Sequence, residues 1–117
     1  MFNTGEFQKM KLLTDALVQR QELLSNNLAN IGTQNYVRQD IDFSSVLRGL
    51  QSNVPSLDGN NNERILGSSR YRDYSNPITL ESEMSKLYDN HLRYLLMVKS
   101  ISHHFEHMKK ALEVRAS

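Results

Sequence analysis

His103, His104 and His107 form the densest group of chemistry-bearing side chains in this sequence. His103 and His107 stand four apart, so a helix would bring both imidazoles to one face, a spacing that can hold a divalent metal. The residue after His103 is His104 rather than Glu, so the HExxH pattern is absent, and no third ligand is evident. A solvated or interface-facing stripe is the reading these three residues favour. His91 reads as a packed or hydrogen-bonded interface histidine. Asp58-Gly59-Asn60-Asn61-Asn62-Glu63 places oxygen donors at alternate positions, as a calcium loop does. However, Glu63 stands where such a loop needs Gly, and Ser69 where it needs Glu, so a turn is expected instead. The carboxylate pairs Asp40/Asp42 and Glu81/Glu83 are each two apart, a local accident rather than an arranged acid and base. There is no glycine-rich phosphate loop, no GxSxG and no Cys. A non-enzyme is therefore expected, with no catalytic, cofactor-binding or metal residues.

The elements that carry these side chains are two long helices. Steps of four and three through 80–115 meet Leu80, Met84, Leu87, His91, Tyr94, Val98, Ile101, Phe105, Met108, Leu112 and Arg115, with no Gly or Pro between them. A repeat of 3.5 residues keeps one helical stripe against a partner helix. Such a helix would run about 54 Å at 1.5 Å per residue, which predicts a rod rather than a globule. A second seam runs through 7–31: Phe7, Met10, Thr14, Leu17, Gln21, Leu24, Leu28 and Ile31. Gly32 is expected to end it in the left-handed conformation. Thr14 and Gln21 leave two readings open, a partly wet face or polar residues that set register. Around Leu92, Leu95 and Leu96 the apolar residues spread beyond the seam. A helix apolar all round is buried all round, and one N-terminal helix covers one side only. Other subunits are expected to cover the rest, with the terminal helices ordering on assembly.

Between the helices, the Asn-rich run at 25–36 predicts amide side chains bonded to backbone, locally or in a neighbour. Asn35 is a candidate for positive φ. Residues 36–43 alternate as an extended segment, with Val37, Gln39, Ile41 and Phe43 on one side and Arg38, Asp40 and Asp42 on the other. A short helix follows, capped by Asp42 or Ser44 and carrying Val46, Leu47 and Leu50. Residues 51–77 are rich in Ser, Asn, Asp and Gly. They read as a mobile loop with a brief strand or turn at Arg64-Ile65-Leu66 and at Arg70-Tyr71-Arg72. Thr79 is the expected cap of the long helix, with Glu81 and Glu83 in its first turn, where the helix dipole favours them.

The fold class that follows is mainly α. Long N- and C-terminal helices form a coiled-coil hairpin or bundle, and an irregular middle holds at most short strands. The 117 residues make one domain, divided as 7–31, 32–50, 51–79 and 80–115. The net charge of +1 gives no pull towards nucleic acid or an acidic membrane surface. The longest apolar run, at 94–98, is far short of the roughly 20 residues of a membrane span, so no direct membrane insertion is expected. The start of the sequence has no basic region followed by an apolar core, so no cleaved secretory signal is expected.

Two stretches carry a resemblance. Asn26-Asn27-Leu28-Ala29-Asn30, followed by Thr33 and Tyr36, resembles the ANNIAN-x-x-TPGY signature shared by the axial proteins of the bacterial flagellum. Leu80-Glu81-Ser82-Glu83-Met84 and Asn90-His91-Leu92-Arg93-Tyr94 resemble the C-terminal end of flagellar basal-body rod proteins, and Asp40-Ile41-Asp42-Phe43 fits the same family. The likeness covers roughly 10–50 and 76–115. The sequence departs from the signature at Gln34 and Asn35, where Pro-Gly is usual, and at Gly32, where Asn is common. Asn35 keeps access to the left-handed conformation, whereas the fixed φ of Pro is lost.

The resemblance implies a structural subunit of the proximal rod in the periplasm, exported by the flagellar type III apparatus without a cleaved signal. Its terminal helices would line an export channel and transmit torque. Implied partners are further copies of itself, other rod proteins, the adaptor FliE and the membrane-ring protein FliF. The alternative is a soluble helical binding module or secretion chaperone. The expected assembly residues are Leu17, Leu24, Asn26, Asn27, Leu28, Asn30, Ile31 and Tyr36 at the N-terminal end. On the long helix they are Met84, Leu87, His91, Tyr94, Leu95, Val98, Ile101, Phe105, Met108 and Leu112.

Overall fold

The computed structural model describes residues 4–52 and 60–116. Expectations placed on Met1 to Asn3, Pro55 and the Asp58-Gly59 turn lie outside the described residues. Two long helices, α1 (Thr4–Ala29) and α4 (Leu80–Ala116), enclose four short elements. These are β1 (Arg38–Ile41), α2 (Phe43–Ser52), α3 (Asn60–Ser69) and β2 (Arg70–Asp73). α1 and α4 run antiparallel: Phe7 meets Phe105 edge to face at 5.8 Å, Asn90 bonds Leu17 and Gln21, and Asn27 bonds Glu83. The result is the expected helical hairpin. Its extents are 64 × 28 × 19 Å and its radius of gyration is 17.4 Å, against roughly 13 Å for a compact chain of this length.

α1 has two working sides. Leu17 and Leu24 are buried on the side that carries the α4 contacts. Leu12 and Ala16, four apart on another face, are fully buried against Ile41, Val46, Leu50, Ile65 and Leu66. That second face is absent from the single seam read in the sequence. Thr14 donates back to the Met10 carbonyl of its own helix at 2.8 Å. Gln21 accepts from Asn90 at 2.9 Å, so it bonds the chain's own α4.

Helix α1 ends earlier than expected, and by another device. Asn30 bonds the Asn26 carbonyl through its side chain, and tightened turns carry the chain through Ile31 and Thr33. Gly32 does not take the left-handed conformation; Asn35 does, at φ 64°. β1 and β2 pair antiparallel, with Arg38 opposite Asp73 and Ile41 opposite Arg70. Asp42 caps α2: its carboxylate accepts from the Ser44 N–H and Ser45 hydroxyl, and its carbonyl from the Ser45 and Val46 N–H groups. Val46 and Leu50 are buried as the spacing requires, while Leu47 is half exposed.

The expected loop over 51–77 is corrected in its centre. Residues 60–69 are helical, where a strand or turn was expected at Arg64-Ile65-Leu66. The stripe is Asn62, Ile65, Leu66 and Ser69, all buried at spacings of three, four and seven. Two apolar residues are too few to announce a helix; their packing against α2 is what orders it. Ser68 and Ser69 both bond the Ile65 carbonyl near the helix end, and β2 follows where Arg70-Tyr71-Arg72 predicted it. Thr79 caps α4, accepting from Ser82 N–H through its hydroxyl and from Glu83 N–H through its carbonyl.

Candidate assembly surface

The head of the hairpin is held by a buried ionic cluster. The Arg38 guanidinium reaches Glu83 at 2.6 Å, Asp73 at 2.9 Å and Asp40 at 3.2 Å. Arg20 adds a second contact to Asp40 at 2.8 Å. Two cations face three carboxylates, and neutral donors make up the difference. Ser75 and Asn76 donate to Asp73 Oδ1, the Ile41 N–H to Asp40, and Asn27 to Glu83. Burial alone would raise the Asp40 carboxyl, but bonds from Arg20 and the Ile41 N–H outweigh it and hold the group below the usual carboxylate range. The Asn76 side chain is the main cause that lowers Asp73, with Ser75 and Arg38 acting the same way against burial. Asn27 also does the work of a neighbouring strand. Its amide donates to the Gln39 carbonyl at 2.8 Å and accepts from the Gln39 N–H at 3.0 Å, and Tyr36 donates to the same oxygen. α1, the hairpin and the first turn of α4 are thereby fixed to one another.

α4 carries two seams. Glu83, Leu87, Asn90, Tyr94, Met97 and Ile101, in steps of four and three, are buried or half-buried, as are Ser82 and Lys86 beside them in the first turns. Glu83 and Asn90 are 0% exposed. The sequence reading had Met84, His91 and Val98 in place of Glu83, Asn90 and Met97. A count of apolar residues passes over polar ones that are buried because they are bonded. The displaced residues belong to a second seam: Met84, Tyr88, His91, Leu95 and Val98, again in steps of four and three. It lies about a quarter-turn round the helix. Its residues are open to solvent, with Met84 54%, Tyr88 70%, Leu95 46% and Val98 38% exposed.

The other expected assembly residues divide accordingly. Leu17, Leu24 and Asn27 are buried inside the single chain. Tyr36 and Asn30 are half-buried and bonded within the chain. Leu28, Leu87, Tyr94 and Ile101 are half-buried; Asn26, Ile31, His91, Phe105, Met108 and Leu112 are exposed. Arg38, Asp73, Glu83 and Asn90 went unmarked as site residues. The alternation of Arg38 with Asp40 gave their shared side but not its burial. His103 and His107 stack at 5.8 Å, and among the described residues no three His, Cys, Asp or Glu side chains gather to hold a metal. No described helix is long and apolar enough to cross a membrane.

A relative from Borrelia hermsii, the flagellar basal body rod protein FlgB, is 30% identical over 113 aligned positions, covering 79% of this chain and 84% of the relative. The chain belongs to the FlgB family of flagellar basal-body rod proteins. The FlgB protein of Bacillus subtilis strain 168 is 24% identical, covering 93% of this chain and 94% of that protein. That of Borreliella burgdorferi is 28% identical over 85% of this chain and 89% of its own. No protein-family model matches the sequence. With membership in this family, the ionic head and the two-seamed helix are parts of a rod subunit.

Proposed function

We propose that this chain is a structural, non-enzymatic subunit of the proximal rod that assembles with further copies and other rod proteins through its terminal helices. One observation carries the reading. After α1 and α4 have packed together, α4 still exposes Met84, Leu92, Leu95, Leu96, Phe105 and Leu112. Exposed apolar area on this scale along one helix marks a protein interface. The paired helices form the wall of a tube that serves as an export channel and transmits torque along its length, and the whole chain acts as one rod-protein domain. FliE and the ring protein FliF are the neighbours at the membrane end. The type III export apparatus delivers the chain to the periplasmic side without cleaving a signal. The test has two arms. Purified protein is followed by sedimentation velocity across a hundredfold range of concentration, where growing species are expected. A strain lacking the gene is imaged for rod beyond the membrane ring. A compact, thermostable dimer that grows no further, together with a normal rod in the deletion strain, would favour the chaperone alternative.

A further inference from the structure

The β1–β2 ribbon is closed along one edge and open along the other. Asp42 N–H bonds the Ser69 carbonyl at 2.8 Å, in the same register that sets Arg38 opposite Asp73 and Ile41 opposite Arg70. Facing residues of an antiparallel pair bond each other at every second position only. Asp42/Ser69, Asp40/Tyr71 and Arg38/Asp73 are therefore the bonded pairs. Gln39, Ile41, Arg70 and Arg72 turn their N–H and C=O groups outward. On β1 most of these are taken: Asn27 accepts from the Gln39 N–H and donates to its carbonyl, and the Ile41 N–H bonds Asp40. On β2 the outward groups of Arg70 and Arg72 have no hydrogen-bond partner among the described residues, and both residues are exposed. Such a row of open backbone groups is a template for one more strand.

Side chains decide which strand fits. Arg70 and Arg72 point to one face of the ribbon and the exposed Tyr71 to the other. The acids around the ribbon are already matched: Asp40 and Asp73 to Arg38, Asp42 to Arg48, and Asp89 to Arg93. Arg70 donates only to the neutral Gln19 side chain, at 2.7 Å, and among the described residues neither Arg70 nor Arg72 is paired with a carboxylate. A second copy is a poor occupant. Its β2, laid antiparallel on this edge, would set arginine against arginine, and like charges directly opposite destabilise a pair. Its β1 is closed by its own Asn27.

We infer that the free edge of β2 takes a strand from a different protein, an extended segment with two acidic side chains two positions apart and an apolar one between them. Its backbone bonds the outward groups of Arg70 and Arg72, its acids face the two guanidiniums, and its apolar side chain lies beside Tyr71. The exposed seam of α4 takes no part, so this contact stands or falls apart from the assembly reading above.

The test uses full-length protein and a fluorescein-labelled peptide of about nine residues that alternates Glu with Val. Binding is read by fluorescence anisotropy at low salt, with a peptide carrying Lys in place of Glu as control. Hydrogen exchange followed by NMR reads single amides with and without the Glu peptide. The Glu peptide is expected to bind at least tenfold tighter than the Lys peptide. It should slow exchange of the Arg70 and Arg72 amides at least tenfold, while that of Tyr71, already bonded across to Asp40, changes little. Arg70→Gln with Arg72→Gln should weaken binding at least tenfold, with thermal melts to establish that this variant folds. A Glu peptide that does not bind wild type, or binds no better than the Lys peptide, overturns the inference. Binding that leaves both arginine amides exchanging as before is attraction between surface charges and overturns strand addition. Protection of those amides that grows with protein concentration alone assigns the edge to a second copy and overturns the stated occupant.

Discussion

Arg38 joins three carboxylates from separate elements, so replacing it would do more than remove one bond. Arg38→Met would leave Asp40, Asp73 and Glu83 buried without their common cation. Breaking such a set from one side costs about 3–5 kcal/mol. Urea unfolding should show a loss of that order. Adding Glu83→Met should recover part of it, because it removes one of the stranded charges. A double variant as unstable as the sum of the two singles would mean that the two groups are not coupled. The same cluster sets a pH dependence. Asp40 and Asp73 sit below the ordinary carboxylate value when folded, against about 3.9 when unfolded. Their contribution is therefore complete above the unfolded value and is lost as pH falls through the folded ones. The melting midpoint should fall below about pH 4. Asp73→Asn should flatten that fall, and an unchanged slope would take Asp73 out of the account. Little of this was legible beforehand: a residue type reports its charge, whereas burial of that charge depends on partners 35 and 45 positions away.

At the scale of elements, the long helices were legible because each repeats its apolar pattern over many turns. α3 was not, since Ile65 and Leu66 are its only buried apolar residues and its helicity depends on α2. That dependence can be tested at Gly49, in the middle of α2. A Cβ added there would lie 2.8 Å from Ile65 Cγ2 and 3.1 Å from Cγ1. Ile is branched at Cβ and turns aside poorly. Gly to Ala gains about 1 kcal/mol of helix propensity, while overpacking costs about 1–3 kcal/mol. Gly49→Ala should be neutral to mildly destabilising, and Gly49→Val clearly destabilising. Ile65→Ala, which removes both Cγ atoms, should cost less stability in the Gly49→Ala background than in the wild type if the clash is the cause. Stabilisation of both Gly49 variants would show that α2 and α3 are not closely packed there.

The whole molecule is a rod whose two ends are held by different means. Near the head, α4 is tied by Glu83 to Arg38 and by Asn90 to α1. Beyond Ile101 every position from 102 to 114 is exposed, although Phe105 still meets Phe7. Local opening costs least where few apolar contacts are buried, so stability should decline along the helix from head to tip. Hydrogen exchange followed by mass spectrometry on dilute protein should find peptides within 102–114 exchanging at least tenfold faster than those within 83–97. On assembly the tip should gain the larger protection, because a neighbour adds contacts where the single chain has few. Equal protection along the whole of α4 in the dilute protein would mean that the helix is already complete, and that assembly joins finished parts rather than ordering them.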